Sequence, residues 1–300
     1  MLIYITGRGL SGSTILDIAL SQSNNVMGMG EFIVGMKQNE KCSCGKQLIE
    51  CNKWNKLFNE KSGIGTEDFE YLANESKVTN YLKYFMVNDD FFKNISEKYL
   101  RVNSKIIEIK KRSCSADIII DSSKEVTRGL ILSRGCSECF IIHIIRDPLK
   151  VISSTMNHFE KGWPFRFMRK KYYNKKAKSL YMIISSFAWL FGNLLIEIAG
   201  FYSKNKKVKI RYEDLCNFPN HEMEKIEMKI NIDLSGTKAF LNGEKIAKNV
   251  HTVRGNPTSK EKKLLFDKNR ALGKNSLNLI QRTIVRIIVA PLRIAYGYGF

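Results

Sequence analysis

Residues 2–20 read LIYITGRGLSGSTILDIAL, and this stretch decides the architecture. Leu2 to Thr6 is a short, near-continuous apolar run, the pattern of a strand buried on both faces. It ends at Gly7, and from Ile15 to Leu20 apolar residues recur at helical spacing. The reading is strand, Gly-rich turn, helix. The turn, Gly7-Arg8-Gly9-Leu10-Ser11-Gly12-Ser13-Thr14, has the spacing of a phosphate-binding loop. Such loops hold phosphate oxygens with backbone N–H groups and a helix N-terminus. A nucleoside-triphosphatase loop has Lys where this chain has Ser13, reaching the β- and γ-phosphates. Without that Lys, magnesium-dependent γ-phosphoryl transfer is poorly supported. Taken alone, the segment also fits an ordinary Gly/Ser turn with Ser11 or Ser13 as the helix N-cap.

Further along, three more strand-like segments end in polar sequence. Ile118-Ile119-Ile120 ends in Asp121-Ser122-Ser123-Lys124, and a helical segment follows to about Ser133. Phe140 to Ile145 ends in Arg146-Asp147-Pro148, with a helix from Leu149. Val208-Lys209-Ile210 ends in Arg211-Tyr212-Glu213-Asp214. Apolar strands alternating with helices predict an α/β fold, a parallel β-sheet flanked by helices. Ligands of such sheets bind beyond the carboxyl ends of the strands, where all four runs turn charged or Gly-rich. Residues 61–112 are polar and rich in Lys, Asn and Glu; they read as a helical insertion in a single domain spanning 1–300.

Lys and Arg outnumber Asp and Glu by 49 to 29, a net charge of +20. That field favours an anionic partner: a nucleotide, a polyanion, nucleic acid or an anionic membrane surface. With 44% hydrophobic residues, a sizeable core is available and wholesale disorder is excluded. Met1 is followed at once by Leu2-Ile3-Tyr4-Ile5, too short for a secretory leader. The apolar stretch from Ser179 to Gly200 is interrupted by Asn193 and Glu197 and reads as a buried helix rather than a membrane span. Seven cysteines, an odd number, argue against a secreted disulfide scaffold, so a reducing cytoplasm is expected. Residues 276–300 carry Arg282, Arg286 and Arg293 among apolar residues, an amphipathic segment able to touch a membrane peripherally.

The ordered set of these motifs resembles the sulfotransferases that use 3′-phosphoadenosine 5′-phosphosulfate (PAPS), particularly the bacterial type. Residues 5–16, ITGRGLSGSTIL, resemble the family's 5′-phosphosulfate loop. The resemblance implies a P-loop-like sulfotransferase architecture. It also implies that Ser11, Gly12, Ser13 and Thr14 hold the 5′-phosphate without metal, with Gly7, Arg8 and Gly9 completing the cofactor-binding loop. The family usually has Lys or Arg directly before Ser-Gly, facing the bridging oxygen; this chain has Leu10. Arg8 or Lys124 is then the candidate cation. Arg146 and Ser154, eight residues apart, resemble the family's 3′-phosphate site, and a guanidinium fork suits a phosphate dianion. His251-Thr252-Val253-Arg254-Gly255-Asn256-Pro257 resembles a late segment in which a basic residue closes over that phosphate, making Arg254 the candidate.

Transfer to a hydroxyl needs a base. Glu31, after Met29-Gly30, matches a Gly-Glu that can serve as base in related sulfotransferases; His158 is a weaker candidate. Cys42-Ser43-Cys44-Gly45, Cys51 and Trp54 resemble a Cys-rich segment of bacterial-type members. Zinc wants four ligands, and no histidine lies near these three cysteines in sequence. A structural role as free thiols is favoured over zinc or a local disulfide. The expectation is a metal-independent sulfuryl transfer from PAPS to a hydroxyl or amine, with a saccharide or glycolipid as acceptor and no nucleic-acid partner. The rival readings are a P-loop kinase-like phosphotransferase and a non-enzymatic basic protein that binds RNA or a membrane.

Overall fold

Leu2–Thr6 (β1) is buried along its whole length because it lies in the middle of the sheet. The computed structural model describes residues 1–37, 40–160, 175–203, 206–248, 250–255, 263–269 and 276–299. Val26–Gly28 (β2), Ile118–Asp121 (β3), Cys139–Ile145 (β4) and Lys207–Arg211 (β5) complete a five-stranded sheet in the order β2-β3-β1-β4-β5. All its pairings are parallel; Ile3 sits opposite Ile120 on one side and Phe140 on the other. Strand side chains alternate between faces. Leu2 and Tyr4 thus join one apolar cluster, and Ile3 and Ile5 join another. The edge strand β2 is absent from the sequence reading: its three residues end in Gly28 and carry no apolar run.

Ser13–Leu20 (α1) crosses from β1 to β2, followed by Phe32–Lys37 (α2). Thr66–Glu75 (α3), Tyr81–Phe85 (α4) and Asp89–Cys114 (α5) occupy most of the polar 61–112 stretch and pack beneath the β2–β3 side. Val126–Gly135 (α6) links β3 to β4, and its Arg128 runs back into the core. There it meets Asp121 (2.6 Å), the Tyr99 hydroxyl (2.8 Å) and Asn103 (2.6 Å), all buried. Pro148–Glu160 (α7) and Lys175–Ala199 (α8) follow β4. Tyr212–Asn217 (α9), Pro219–Ile230 (α10) and Ser235–Leu241 (α11) follow β5, and Leu279–Ala295 (α12) packs on α7 and α8.

The buried-helix expectation for 179–200 holds for one face only. Met182, Ser186, Trp189, Asn193 and Ile196 are buried, while Leu180, Ile184, Phe187, Phe191 and Leu194 form an exposed stripe. By length and composition α8 is apolar enough to cross a membrane. Its Asn193 and Glu197 face the core instead, where His143 Nε2 lies 3.0 Å from Asn193 Oδ1 and Nδ1 lies 3.2 Å from Glu197 Oε1.

Candidate active site

The phosphate loop is shaped by close backbone packing. Gly12 caps α1 at φ 96°, a left-handed conformation, and no side chain caps the helix. A Cβ on Gly12 would lie 2.1 Å from the Tyr212 ring, so only glycine fits over this aromatic floor. Among the described residues no side-chain cap serves the first turn of α1, and such a helix N-terminus attracts anions. The Ser11 hydroxyl is buried and has no hydrogen-bond partner among the described residues, an unusual state for a buried polar atom. Ser13 is buried in the first turn of α1, and Thr14 follows it.

Arg146 stands at the end of β4, and its Nη1 donates to the Leu10 carbonyl at 3.0 Å. Its guanidinium lies 4.8 Å from the centre of the Tyr212 ring, so loop, arginine and aromatic floor form one unit. Tyr212, at the start of α9, entered the sequence reading only as part of the polar end after Ile210, with no role of its own. Asp147 caps α7 by accepting from the Leu149 N–H at 3.0 Å, and its own N–H donates to Glu213 at 3.0 Å. Ser154 lies farther along α7 and is half-buried. Leu10, at φ 68°, packs its side chain toward the apolar cluster of α7, α8 and α12. Position 10 thus belongs to a hydrophobic contact, which is a physical reason for the missing basic residue.

Three cations and two carboxylates meet beside the loop. Lys124 Nζ donates to Glu31 Oε1 at 2.5 Å, and Arg254 Nε lies 3.5 Å from Glu31 Oε2. Arg8 passes against α8, where a Cβ on Gly192 would lie 2.5 Å from Arg8 Cδ. Burial lowers the Arg8 pKa, opposed by Glu125 and Tyr181. Burial raises the Glu125 pKa, and the Glu31 charge pushes it the same way, against Lys124, Arg254 and Arg8. Glu125 is a second carboxylate that the motif-by-motif reading passed over, although it adjoins Lys124. Lys124 at φ 68° and Arg254 at φ 56°, like Leu10, hold left-handed conformations that non-glycine residues rarely keep without a surrounding constraint.

Arg254 reaches this cluster because its segment is laced to the region after β2. Val253 N–H donates to Met29 O at 2.9 Å, and Glu31 N–H donates to Val253 O at 3.0 Å. Asn256 and Pro257 of the same motif lie outside the described residues. The reading that no histidine approaches the three cysteines is corrected by the fold: His251 Nδ1 lies 3.3 Å from Cys51 Sγ and 3.7 Å from Cys42 Sγ.

Asp17, on the inner face of α1, holds the Glu31 turn. It accepts from the Gly30 N–H at 3.0 Å and from the Ser122 hydroxyl at 2.6 Å. Burial raises its pKa to about 7, outweighing those hydrogen bonds. In the unfolded chain it titrates near 3.9. Between about pH 4 and about 7 the native state keeps a proton that the unfolded chain has lost, so this group makes stability fall as pH rises. Asp17→Asn retains an oxygen for both donors and is expected to flatten the decline of Tm across that window. A decline as steep as in the wild type would assign it to another group.

Comparison with known proteins bears on the family and the fold. The sulfotransferase family profile matches residues 3–236. No curated protein sequence matches the chain. Among solved structures, the sulfotransferase domain of the Synechococcus PCC 7002 olefin synthase superposes with a TM-score of 0.53 at 14% identity, covering 100% of this chain and 95% of that one. The sulfotransferase domain of the curacin biosynthetic pathway gives 0.50 at 15% identity, covering 97% and 96%. Sulfotransferase STF9 from Mycobacterium avium gives 0.56 at 11% identity, covering 99% and 77%. At these identities the superpositions establish the shared fold, while the profile spans most of the sequence and both phosphate-loop and strand-end motifs: the chain belongs to the sulfotransferase family.

Proposed function

We propose that this sulfotransferase takes its sulfuryl group from PAPS and passes it to an acceptor hydroxyl or amine. The observation that carries the reading is the buried Ser11 hydroxyl, without a partner among the described residues, beside an α1 N-terminus that no described side chain caps, a setting suited to a phosphate. Gly7, Arg8, Gly9, Ser11, Gly12, Ser13 and Thr14 hold the 5′-phosphosulfate; Arg146 and Ser154 hold the 3′-phosphate, and Arg254 closes over it. In the transfer, the bond between sulfur and the bridging oxygen breaks as the acceptor oxygen or nitrogen bonds to sulfur. Glu31 takes the acceptor's proton. Lys124 or Arg8 faces the charge that develops on the bridging oxygen, and no magnesium ion takes part.

A saccharide or glycolipid acceptor suits the basic field of the chain. The exposed apolar stripe on α8, with Arg282 and Arg286 on the adjoining α12, supports a cytoplasmic enzyme that meets a lipid-linked acceptor at an anionic membrane surface.

Affinity for adenosine 3′,5′-diphosphate against adenosine 5′-monophosphate tests the donor assignment. The wild type should prefer the diphosphate strongly, and Arg146→Ala should remove about 2–4 kcal/mol of that preference, as when a desolvated charge loses its partner. The difference between the nucleotides cancels any general loosening of the loop from the lost Leu10 contact. Equal affinity of the wild type for both nucleotides would sink the assignment.

A further inference from the structure

The three cysteines after α2 come together with a histidine about 200 residues away in sequence. Cys42, Cys44, Cys51 and His251 each offer one ligand atom, and these atoms all lie within 4.8 Å of one another. The sulfurs of Cys42 and Cys51 are 3.6 Å apart, and those of Cys44 and Cys51 are 3.8 Å apart. His251 Nδ1 is 3.3 Å from Cys51 Sγ and 3.7 Å from Cys42 Sγ. A tetrahedral zinc with bonds of about 2.3 Å to sulfur and about 2.0 Å to nitrogen requires ligand separations of roughly 3.8 Å and 3.5 Å. Four of the six separations already stand near that spacing, and the other two lie within 4.8 Å.

A second observation points the same way. Lys110, on α5, is fully buried, lies 3.7 Å from the centre of the Trp54 ring and donates to the Lys53 carbonyl. No carboxylate pairs with it among the described residues, which is rare for a buried ammonium. Three thiolates and a neutral imidazole around a divalent ion carry one net negative charge, and Lys110 supplies the matching cation.

We propose that Cys42, Cys44, Cys51 and His251 bind a structural zinc ion. Four protein ligands close the coordination shell, so the ion takes no substrate and no part in the transfer. Softer thiolate ligands with one imidazole in a tetrahedron select zinc over magnesium, calcium or manganese. Its work is positional. Trp54 Nε1 donates to the His251 carbonyl at 2.8 Å, and the Ser43 N–H donates to the Thr252 carbonyl at 2.9 Å. The ion pins this strand of chain at its start, and Arg254, three residues on, is thereby held 3.5 Å from Glu31. This last consequence rests on the nucleotide-site reading above; the metal site itself does not.

The full chain, purified under reducing conditions without chelators, should carry one zinc per chain by elemental mass spectrometry. Cobalt(II) exchanged into it should show thiolate charge-transfer bands and the intense d–d bands of a tetrahedral site. Cys44→Ser, at an exposed position, should fold and lower zinc affinity at least about 10–100-fold, since even outer partners are worth that much. Lys110→Met should also weaken zinc binding, whereas in a metal-free fold it would only relieve a buried charge. The inference is overturned if the reduced chain holds no zinc and zinc chloride leaves its Tm unchanged. A Cys42–Cys51 disulfide in freshly purified protein overturns it equally. Zinc content is independent of nucleotide affinity, so failure here and failure of the PAPS reading are distinguishable.

Discussion

Glu31→Gln is expected to lower turnover on a hydroxyl acceptor about 10²–10⁴-fold, the range for losing a general base, while nucleotide affinity stays nearly unchanged. Glu31 sits where Asp17 fixes the preceding Gly30 N–H and Lys124 fixes Oε1, so the replacement keeps the side chain's shape and removes its charge. Steady-state kinetics alongside adenosine 3′,5′-diphosphate binding gives both readouts. Near-normal turnover would transfer the role to Glu125, whose carboxyl shares the cluster, or to His158 on α7. Two companion variants identify the cation facing the bridging oxygen. Removing one oriented donor typically costs about 10²–10³-fold in turnover. Lys124 is locked to Glu31, whereas Arg8 is threaded between the loop and α8; Arg8→Ala with full turnover and Lys124→Ala without it would assign the role to Lys124.

Arg128→Ala is expected to cost about 3–5 kcal/mol of stability, because it strands a carboxylate in the core. Asp121 and Arg128 are both fully buried, and the guanidinium also serves Tyr99 and Asn103 on α5. Against a typical total of about 5–15 kcal/mol, such a loss lowers Tm on the order of 10 °C. Replacing both charges with apolar residues of similar size, Arg128→Met with Asp121→Leu, should recover much of the loss, because the cost is the uncompensated charge. A thermal melt of the single variant within a degree of the wild type would mean that water reaches Asp121. The effect on function should be indirect: Asp121 Oδ1 accepts from the Ser123 N–H at 2.9 Å, so the turn that presents Lys124 is anchored on this pair.

The sheet was largely legible because its longer strands are apolar runs that stop abruptly at glycine or charge. β1, β3 and β4 carry that mark; β5 alternates Lys with Val and Ile, and the three-residue β2 has no such run. The loop geometry was legible from glycine spacing. What escaped depends on long-range packing. Tyr212 is one aromatic among twelve tyrosines until the fold lays it under Gly12. Glu125 gains its character from burial beside Glu31, a residue nearly a hundred positions earlier. His251 lies 200 positions from Cys51, and no local spacing rule joins them; they meet through contacts such as the bridges of Val253 to Gly30 and to Cys42. The half-exposed state of α8 escaped for the converse reason, since an apolar helix reads alike whether one face or both are covered.

The central position of β1 has a consequence for how the chain is made. β1 is synthesised well before its hydrogen-bonding neighbours, β3 at residues 118–121 and β4 at residues 139–145. At a synthesis rate of about 5–20 residues per second, those partners arrive on the order of ten seconds later. In the interval the uncharged segment from Leu2 to Thr6 has nothing to pair with, while α3 to α5 can already gather through local contacts. An unpaired apolar strand on a nascent chain invites chaperones and, where they are scarce, intermolecular pairing. The phosphate loop's supporting strand is therefore made long before the strands that hold it, and the loop takes shape only once β3 and β4 have followed.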